Sequence, residues 1–407
     1  MKLHSGILYW PEITKVEKTK FEDDFDPNKN DILIVGGGIS GAISAYRLAK
    51  EGYGVTLIEK NEIGSGSSSA NTGLIQYMSD KGVRYYINSL GYDEGKGFYD
   101  KSVKAIATLT ELDRELENLD VPTFEIKKSL ILATEEDKVS ELKAETEKQK
   151  EFGYGAEYFY KEFLSKLGID AFGGLCAKPD IALNPFGFVH RLIRSAVEKY
   201  NLHIMEKTEF ISVEDCSDFQ IVNVEKNGKR IRYKFKKVIF ATGYEPPEMF
   251  KEKLSKLIIN KTYVTVSRDD IQLDENTDYL TWEVREPYTY FRHTFENSLM
   301  IGGLDEPGDS ISDVEVYKNK NNLIRLTKEM LIDKNLKIEP EYSYVALFGE
   351  SEDDIPYIGV DTDNKNLMVI CGAGGNGTVY STIASEFAIS WVKNDDLSDY
   401  KIFSLGR

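Results

Sequence analysis

The sequence is poor in cysteine and in long hydrophobic runs. Its three cysteines are Cys176, Cys216 and Cys371, and their spacing matches no metal-binding pattern. A low and odd cysteine count is typical of a reducing compartment. No apolar run approaches the roughly 20 residues needed to span a bilayer, and residues 1–20 lack the apolar core of a signal peptide. We therefore expect a cytoplasmic protein without a membrane span or a metal centre.

Positive charge is also scarce. The 407 residues include 51 Lys and Arg against 68 Asp and Glu, which gives a formal net charge of −17. Such an excess of negative charge opposes binding to nucleic acids and to anionic membranes, so we expect neither as a partner. The hydrophobic fraction of 41% is ordinary for a globular protein. A chain of this length can bury a large core divided between two domains.

A glycine-rich stretch near the start carries the clearest pattern. The apolar run Ile32–Val35 is typical of a buried parallel strand. Gly36, Gly38 and Gly41 follow it as G-x-G-x-x-G, in which the glycines permit a tight turn, admit a pyrophosphate and let a helix pack closely. A second apolar strand then ends at Glu59, where an acid can accept hydrogen bonds from a ribose. This order predicts a dinucleotide site, although Glu59 alone does not distinguish FAD from NAD.

Two further loops are rich in small residues. Residues 61–75 contain many serines and glycines, and their position directly after Glu59 favours a cofactor loop over a flexible surface loop. Near the end, an apolar strand at 367–370 precedes the sequence Gly-Ala-Gly-Gly-Asn-Gly at 372–377 and a helix. Glycines between a strand and a helix expose free amides at the helix N-terminus, which favour negative charge.

These stretches together resemble the D-amino-acid-oxidase superfamily of FAD-dependent oxidoreductases, which includes enzymes that oxidise glycine, sarcosine and glycerol 3-phosphate. Within it the chain is similar to glycine and sarcosine oxidase-like enzymes, and most similar to a poorly characterised bacterial branch. The resemblance covers nearly the whole chain and rests on residues 31–60, 63–75, 237–243, 350–359 and 371–377.

The resemblance implies an α/β fold with two intertwined domains. One is a Rossmann-like, three-layer FAD-binding domain built on a parallel sheet. The other is an α+β substrate domain with a mostly antiparallel sheet over the flavin. We expect the FAD-binding domain to comprise residues 1–93, 181–260 and 346–407. The substrate domain then comprises residues 94–180 and 261–345.

The resemblance also assigns FAD-binding roles. The glycine motif takes the pyrophosphate and Glu59 the ribose, while Ser68 and Ser69 line the phosphate and ribityl region. Phe210 meets the adenine, and the last glycine loop faces the flavin pyrimidine ring, where helix-terminal amides stabilise the charge of reduced flavin. We expect non-covalent FAD, because the serine loop has no histidine and Cys371 sits on a strand end. The implied FAD-binding residues are Gly36, Gly38, Ile39, Ser40, Gly41, Glu59, Lys60, Ser68, Ser69, Gly73, Leu74, Ile75, Phe210, Gly243, Gly374, Gly375, Asn376, Gly377 and Thr378.

The substrate site departs from the family pattern. Relatives clamp a substrate carboxylate with arginines at two positions, and here one position has no arginine while the other is Gly375. Tyr288, Tyr290 and Arg292 alternate along a predicted strand and therefore share a face. The Arg292 guanidinium suits a carboxylate, so these three residues are the candidate catalytic set. The alternative is that Arg292 pairs with an acid such as Glu283 and the tyrosines are core residues.

The resemblance implies oxidation of a small amine or amino acid, with a hydride leaving to flavin N5. Two alternatives stay open at this point. One is oxidation of a hydroxy acid or polyol at a C–O bond, and the other is a flavin-binding partner protein without turnover. The expected partners are a small-molecule substrate and an unidentified electron acceptor. Residues 1–30 are expected to form an arm packed through Tyr9 and Trp10, or a lid over the flavin.

Overall fold

A computed structural model describes residues 3–16, 26–271 and 278–407. The strands are β1 (His4–Gly6), β2 (Ile32–Val35), β3 (Val55–Ile58), β4 (Leu74–Ile75), β5 (Phe124–Ala133), β6 (Gly155–Tyr160), β7 (Gly173–Leu183), β8 (His203–Met205), β9 (Thr208–Asp215), β10 (Gln220–Lys226), β11 (Lys229–Phe235), β12 (Lys237–Phe240), β13 (Leu257–Asp270), β14 (Leu280–Glu283), β15 (Thr289–His293), β16 (Ser298–Pro307), β17 (Pro340–Ser351), β18 (Tyr357–Val360) and β19 (Leu367–Cys371). The helices are α1 (Tyr9–Ile13), α2 (Ile39–Lys50), α3 (Ser67–Ala70), α4 (Val83–Leu90), α5 (Tyr92–Glu115), α6 (Val139–Glu151), α7 (Lys161–Lys166), α8 (Pro185–Tyr200), α9 (Asp313–Glu329) and α10 (Gly377–Lys393).

The first layered unit is built on a sheet with the strand order β18-β19-β12-β2-β3-β8, parallel except for β18. Because side chains alternate along a strand, β2 serves two cores. Ile32 and Ile34 pack in one core with α2, α8 and α10. Leu33 and Val35 pack in another core with the antiparallel sheet β11-β10-β9. The three-layer, Rossmann-like arrangement predicted for this unit is therefore confirmed.

The turn after β2 holds α2 against the sheet at very short range. Gly36 has φ +112°, and a Cβ placed on it would lie 2.3 Å from the Ala241 carbonyl oxygen. A Cβ on Gly41 would lie 1.9 Å from the Gly36 carbonyl oxygen. Only glycine fits at either position. The N-terminus of α2 consequently lies at the carboxyl edge of the parallel sheet.

The second unit is built on a large mixed sheet with the order β1-β17-β13-β16-β15-β14-β5-β7-β4, and β6 pairs with β7. Its pairs are antiparallel except β14 with β5, which confirms the predicted mostly antiparallel sheet. Three of the predicted domain boundaries fall inside β7, β13 and β17, because these strands continue from one predicted domain into the other. The division into two domains itself stays a prediction.

The N-terminal arm packs on this sheet through its aromatic residues, as expected. Tyr9 and Trp10 are 2% and 0% exposed, and Trp10 Nε1 donates a hydrogen bond to the Asn71 carbonyl oxygen at 2.7 Å. The same predicted arm contains three successive acidic residues, Glu22, Asp23 and Asp24, which lie outside the described residues.

The arm covers a fully buried guanidinium. Arg292 is 1% exposed and lies 5.3 Å from the centre of the Trp10 ring. Its Nε donates to the Thr72 carbonyl oxygen at 2.8 Å, and its Nη2 donates to the Leu183 carbonyl oxygen at 2.7 Å. Burial lowers the pKa of Arg292 to about 10, so it stays charged at neutral pH. Arg292 thus braces β15 against the end of β7 and the segment before β4.

Replacing Arg292 with Met should destabilise the protein. The Thr72 and Leu183 carbonyls would lose a charged donor, and buried acceptors without a donor cost about 2–5 kcal/mol in total. The free energy of unfolding, measured by urea titration, should fall by this amount. Arg325→Met is the matched control, because the Arg325 side chain is 61% exposed. Equal unfolding curves for the two variants would contradict a structural role for Arg292.

Candidate functional site

A cavity of about 420 Å³ lies between the parallel sheet and the large mixed sheet. Its floor is formed where β2, β3, β12 and β19 end, which is the edge at which α/β sheets bind ligands. Its opposite wall includes Trp282, Tyr288, Tyr290 and Asp305 from the large sheet. The cavity therefore joins the predicted dinucleotide site to the predicted substrate side.

The dinucleotide end presents backbone donors and one fixed acid. The Ile39 N–H, the first of α2, donates a hydrogen bond to Ser68 Oγ at 2.8 Å. This amide therefore already faces an oxygen acceptor. The Glu59 carboxylate accepts from the Gly37 and Asn61 amides, at 2.8 Å each. A carboxylate held in this way still has lone pairs for ribose hydroxyls. The glycine turn at the N-terminus of α2 therefore fits a pyrophosphate, and the Glu59 carboxylate can accept hydrogen bonds from an adenosine ribose.

Most of the predicted site residues come together around this cavity. Those that line it are Gly36, Gly38, Ile39, Ser40, Glu59, Lys60, Ser68, Leu74, Phe210, Gly243, Tyr288, Tyr290, Gly374, Gly375, Asn376, Gly377 and Thr378. Gly41, Ser69, Gly73 and Ile75 lie outside the lining. Ser69 Oγ, for example, donates to the Gly66 carbonyl oxygen at 2.7 Å, and Ile75 is 2% exposed in the core. The individual FAD contacts of these residues stay predictions.

The last glycine loop forms a 3₁₀ turn, Gly374–Asn376, that leads into α10. Asn376 Nδ2 donates to the Gln76 carbonyl oxygen at 2.8 Å, which holds the loop against the segment after β4. The first turn of a helix has N–H groups without intrahelical acceptors, so this loop can serve developing negative charge. Cys371 also lines the cavity, but burial raises the pKa of its thiol to about 12. The thiol is therefore protonated and a poor nucleophile.

Two tyrosines form the wall of the substrate end. Tyr288 Oη donates to Asp305 Oδ2 at 2.6 Å. Tyr290 lies over Gly302 of the neighbouring strand, where a Cβ would be 2.2 Å from the Tyr290 ring. Burial raises the pKa of both tyrosines, so both are neutral phenols. A neutral phenol can accept a hydrogen bond from a ligand as well as donate one.

Arg292 does not share this wall. It follows Tyr290 by two residues on the same face, but this spacing of roughly 6.6 Å along the strand places it beyond the cavity and beneath Trp10. The acid suggested as its alternative partner, Glu283, instead pairs with Arg285 at 2.8 Å. The geometry therefore replaces both sequence interpretations of Arg292 with hydrogen bonding to main-chain carbonyls.

Sequence reasoning missed two carboxylates of the cavity lining, Asp80 and Asp305. Asp80 lies in the loop between β4 and α4, and no pattern in the sequence distinguishes it from a solvated loop residue. Asp305 lies on β16, which pairs with the tyrosine strand β15, beyond an irregular step at Gly303 and Leu304 that no sequence pattern indicates.

Within residues 3–16, 26–271 and 278–407, no group of three or more His, Cys, Asp or Glu side chains could hold a metal ion. No described helix is both long enough and apolar enough to cross a bilayer.

Comparison with known proteins agrees with the geometry. Residues 31–391 match the DAO family, described as FAD dependent oxidoreductase. The chain is 22% identical over 405 residues to a putative Rieske 2Fe-2S iron-sulfur protein of Bacillus subtilis strain 168, covering 98% of this chain and 75% of the relative. It is 21% identical over 370 residues to glycine oxidase of the same organism, covering 90% and 94%.

The fold is likewise similar to that of solved structures. The crystal structure of glycine oxidase from Geobacillus kaustophilus superposes with a TM-score of 0.77 at 20% sequence identity, covering 93% of this chain and 98% of the other. The family match spans most of the sequence, and the cavity has a helix N-terminus for an FAD pyrophosphate and an acceptor carboxylate for the ribose. This chain belongs to the DAO family of FAD-dependent oxidoreductases.

Proposed function

We propose that this protein oxidises a small amine or amino acid at the carbon next to nitrogen. The observation that carries the proposal is that one cavity joins the dinucleotide end to an aromatic and acidic end. Bound FAD would supply the hydride acceptor for an oxidation in which the carbon–nitrogen single bond of the substrate becomes a double bond. The glycine oxidases among the relatives support this chemistry.

The chain's own residues would orient the substrate and handle its proton. Tyr288, Tyr290 and Trp282 form a wall that limits water near the reacting carbon. An ammonium group must lose a proton before a hydride can leave, and the Asp80 carboxylate can accept it. The enclosing protein and the nearby charges of Asp305 and Glu350 raise the pKa of Asp80 to about 7, which suits a base at neutral pH.

Oxidation of a hydroxy acid or polyol is the second candidate, and a flavin-binding partner protein without turnover is the third. The carboxylates at the substrate end favour an amine over a hydroxy acid, because they attract an ammonium group and repel a substrate carboxylate. The enclosed, polar substrate end favours an enzyme over a non-catalytic binder.

We also propose a cytoplasmic location and a small-molecule substrate, with no nucleic-acid partner. Cys176, Cys216 and Cys371 are free thiols, as is typical of a reducing compartment. The net charge of −17 disfavours nucleic acid.

Anaerobic mixing of the purified holoprotein with a panel of substrates should separate the three candidates. The panel holds primary and secondary amines, amino acids of both hands, hydroxy acids and polyols. We expect flavin absorbance to bleach with a nitrogen compound. Bleaching with hydroxy acids or polyols alone would favour the second candidate. Reduction of the flavin by dithionite, but by no compound of the panel, would favour the third candidate.

Gly38→Val should abolish FAD binding without unfolding the protein. A Cβ on Gly38 would lie 3.2 Å from Ser68 Oγ and within 4 Å of no other described atom outside its chain neighbours. The valine side chain would therefore occupy the cavity where a pyrophosphate approaches the backbone. Flavin content per folded chain is measured after acid precipitation, and wild-type flavin should be released into the supernatant because it is non-covalent.

Gly97→Val in α5 is the matched control, since a Cβ at Gly97 meets no atom within 4 Å. It should keep full flavin content. Full flavin content in folded Gly38→Val would remove the glycine turn from the FAD site, and wild-type flavin that precipitates with the protein would indicate a covalent bond.

Asn376→Asp should lower the midpoint potential of the bound flavin. The substitution loses the hydrogen bond to the Gln76 carbonyl and adds a carboxylate to the loop predicted to face the pyrimidine ring. Repulsion of the reduced flavin's negative charge should lower the potential by about 20–60 mV, measured by dye-coupled titration. Asn335→Asp, at an exposed position, is the control. A potential equal to that of wild type would place Asn376 away from the flavin.

A further inference from the structure

The charges of the cavity select the kind of substrate. We infer that the substrate is a cationic amine without a carboxylate group, held between Asp80 and the Tyr288–Asp305 pair. The inference deepens the proposed amine oxidation and rests on it. It concerns which nitrogen compound binds, and the experiment below tests that separately from the oxidation.

Positive charge is nearly absent from the cavity. Among the described residues that line it, Lys60 is the one cationic side chain. Lys60 lies at the dinucleotide end beside Glu59, and its Nζ pairs with Glu245 at 2.6 Å. Arg292 donates to main-chain carbonyls and does not reach the lining. A carboxylate entering the substrate end would therefore lose its hydration without meeting a cation.

Negative charge, in contrast, converges on the substrate end. Asp305 and Asp80 both line the cavity, and the Asp80 side chain is exposed to it. Within the described part of the chain, Asp80 has no hydrogen-bond or ion-pair partner of its own. A smaller adjoining cavity adds Glu350 and Asp354, while Lys81 there is the cation that opposes them.

The pKa values of these carboxylates reflect the same excess of negative charge. The pKa of Asp80 is raised by desolvation and then by Asp305 and Glu350, which outweigh the lowering effect of Lys81. The pKa values of Asp305 and Glu350 are also raised, chiefly by burial. A bound cation would relieve this repulsion and stabilise the ionised carboxylates.

Aromatic faces complete the recognition of a cation. The rings of Trp282 and Tyr288 lie 6.5 Å apart, and those of Tyr288 and Tyr290 lie 6.1 Å apart, all on one wall of the cavity. Such faces attract an ammonium group and also pack against an alkyl chain. Small alkyl amines and diamines therefore fit the site better than amino acids.

The decisive comparison uses the FAD-loaded protein and pairs of compounds that differ in charge. Butyltrimethylammonium and butyrate are small ions of opposite charge, and butylamine differs from norvaline by the carboxylate alone. Binding is measured anaerobically from the change in the flavin absorbance spectrum. We expect saturable binding of butyltrimethylammonium, none of butyrate, and at least tenfold tighter binding of butylamine than of either norvaline enantiomer.

Binding of butyrate or norvaline as tight as that of the cations would overturn the inference, and so would the absence of any cation binding. Reduction of the flavin by norvaline but not by butylamine would keep the proposed oxidation and reject the inference. Saturable cation binding with no flavin reduction by any nitrogen compound would keep the inference and reject the proposed oxidation.

Asp80→Asn should weaken butyltrimethylammonium binding at least tenfold, with flavin content unchanged. Asp218→Asn, at an exposed turn position, is the matched control and should bind as wild type does. Asp305→Asn provides a second test if Asp80→Asn does not fold. Wild-type affinity in a folded Asp80→Asn protein would remove Asp80 from the binding site.

Discussion

The structure depends on the close approach of helix α2 to the turn after β2. The Gly36 carbonyl lies so near Gly41 that a single methyl group at Gly41 could not be accommodated. This contact places the N-terminus of α2 at the end of the parallel sheet, with the Ile39 amide directed to an oxygen acceptor. The other parts of the site surround this edge of the sheet, where main-chain amides favour a bound pyrophosphate.

The second constraint is the large mixed sheet, which forms the opposite wall of the cavity. Strands β7, β13 and β17 of this sheet each cross a predicted domain boundary, and main-chain hydrogen bonds within the sheet hold the wall of the substrate end. Arg292 adds a charged brace at the same junction. Tyr290 and Asp305 are therefore held on the neighbouring strands β15 and β16 of one sheet.

Electrostatics gives the cavity its character within this frame. The Arg292 guanidinium donates hydrogen bonds to main-chain carbonyl oxygens, and Lys60 of the cavity lining forms an ion pair with Glu245. Within the described residues, neither Asp80 nor Asp305 forms an ion pair. Tyr288 donates to one of them, which leaves the charge of Asp305 in place. A cavity that can bind the phosphates of FAD at one end is therefore negative at the other.

The sequence by itself determined the nucleotide half of this protein. The contacts of the glycine motif, Glu59 and the last glycine loop are made by residues close in the chain or within one strand–helix turn. Their geometry therefore follows from the spacing of residues in the sequence. It also determined that Tyr288, Tyr290 and Arg292 share a face, because side chains alternate along any strand. The tertiary structure alone decided that the cavity ends before Arg292, since Trp10 comes from the other end of the chain to cover it. It alone brought Asp80 and Asp305 together, because charges more than two hundred residues apart meet only when the sheets are in place.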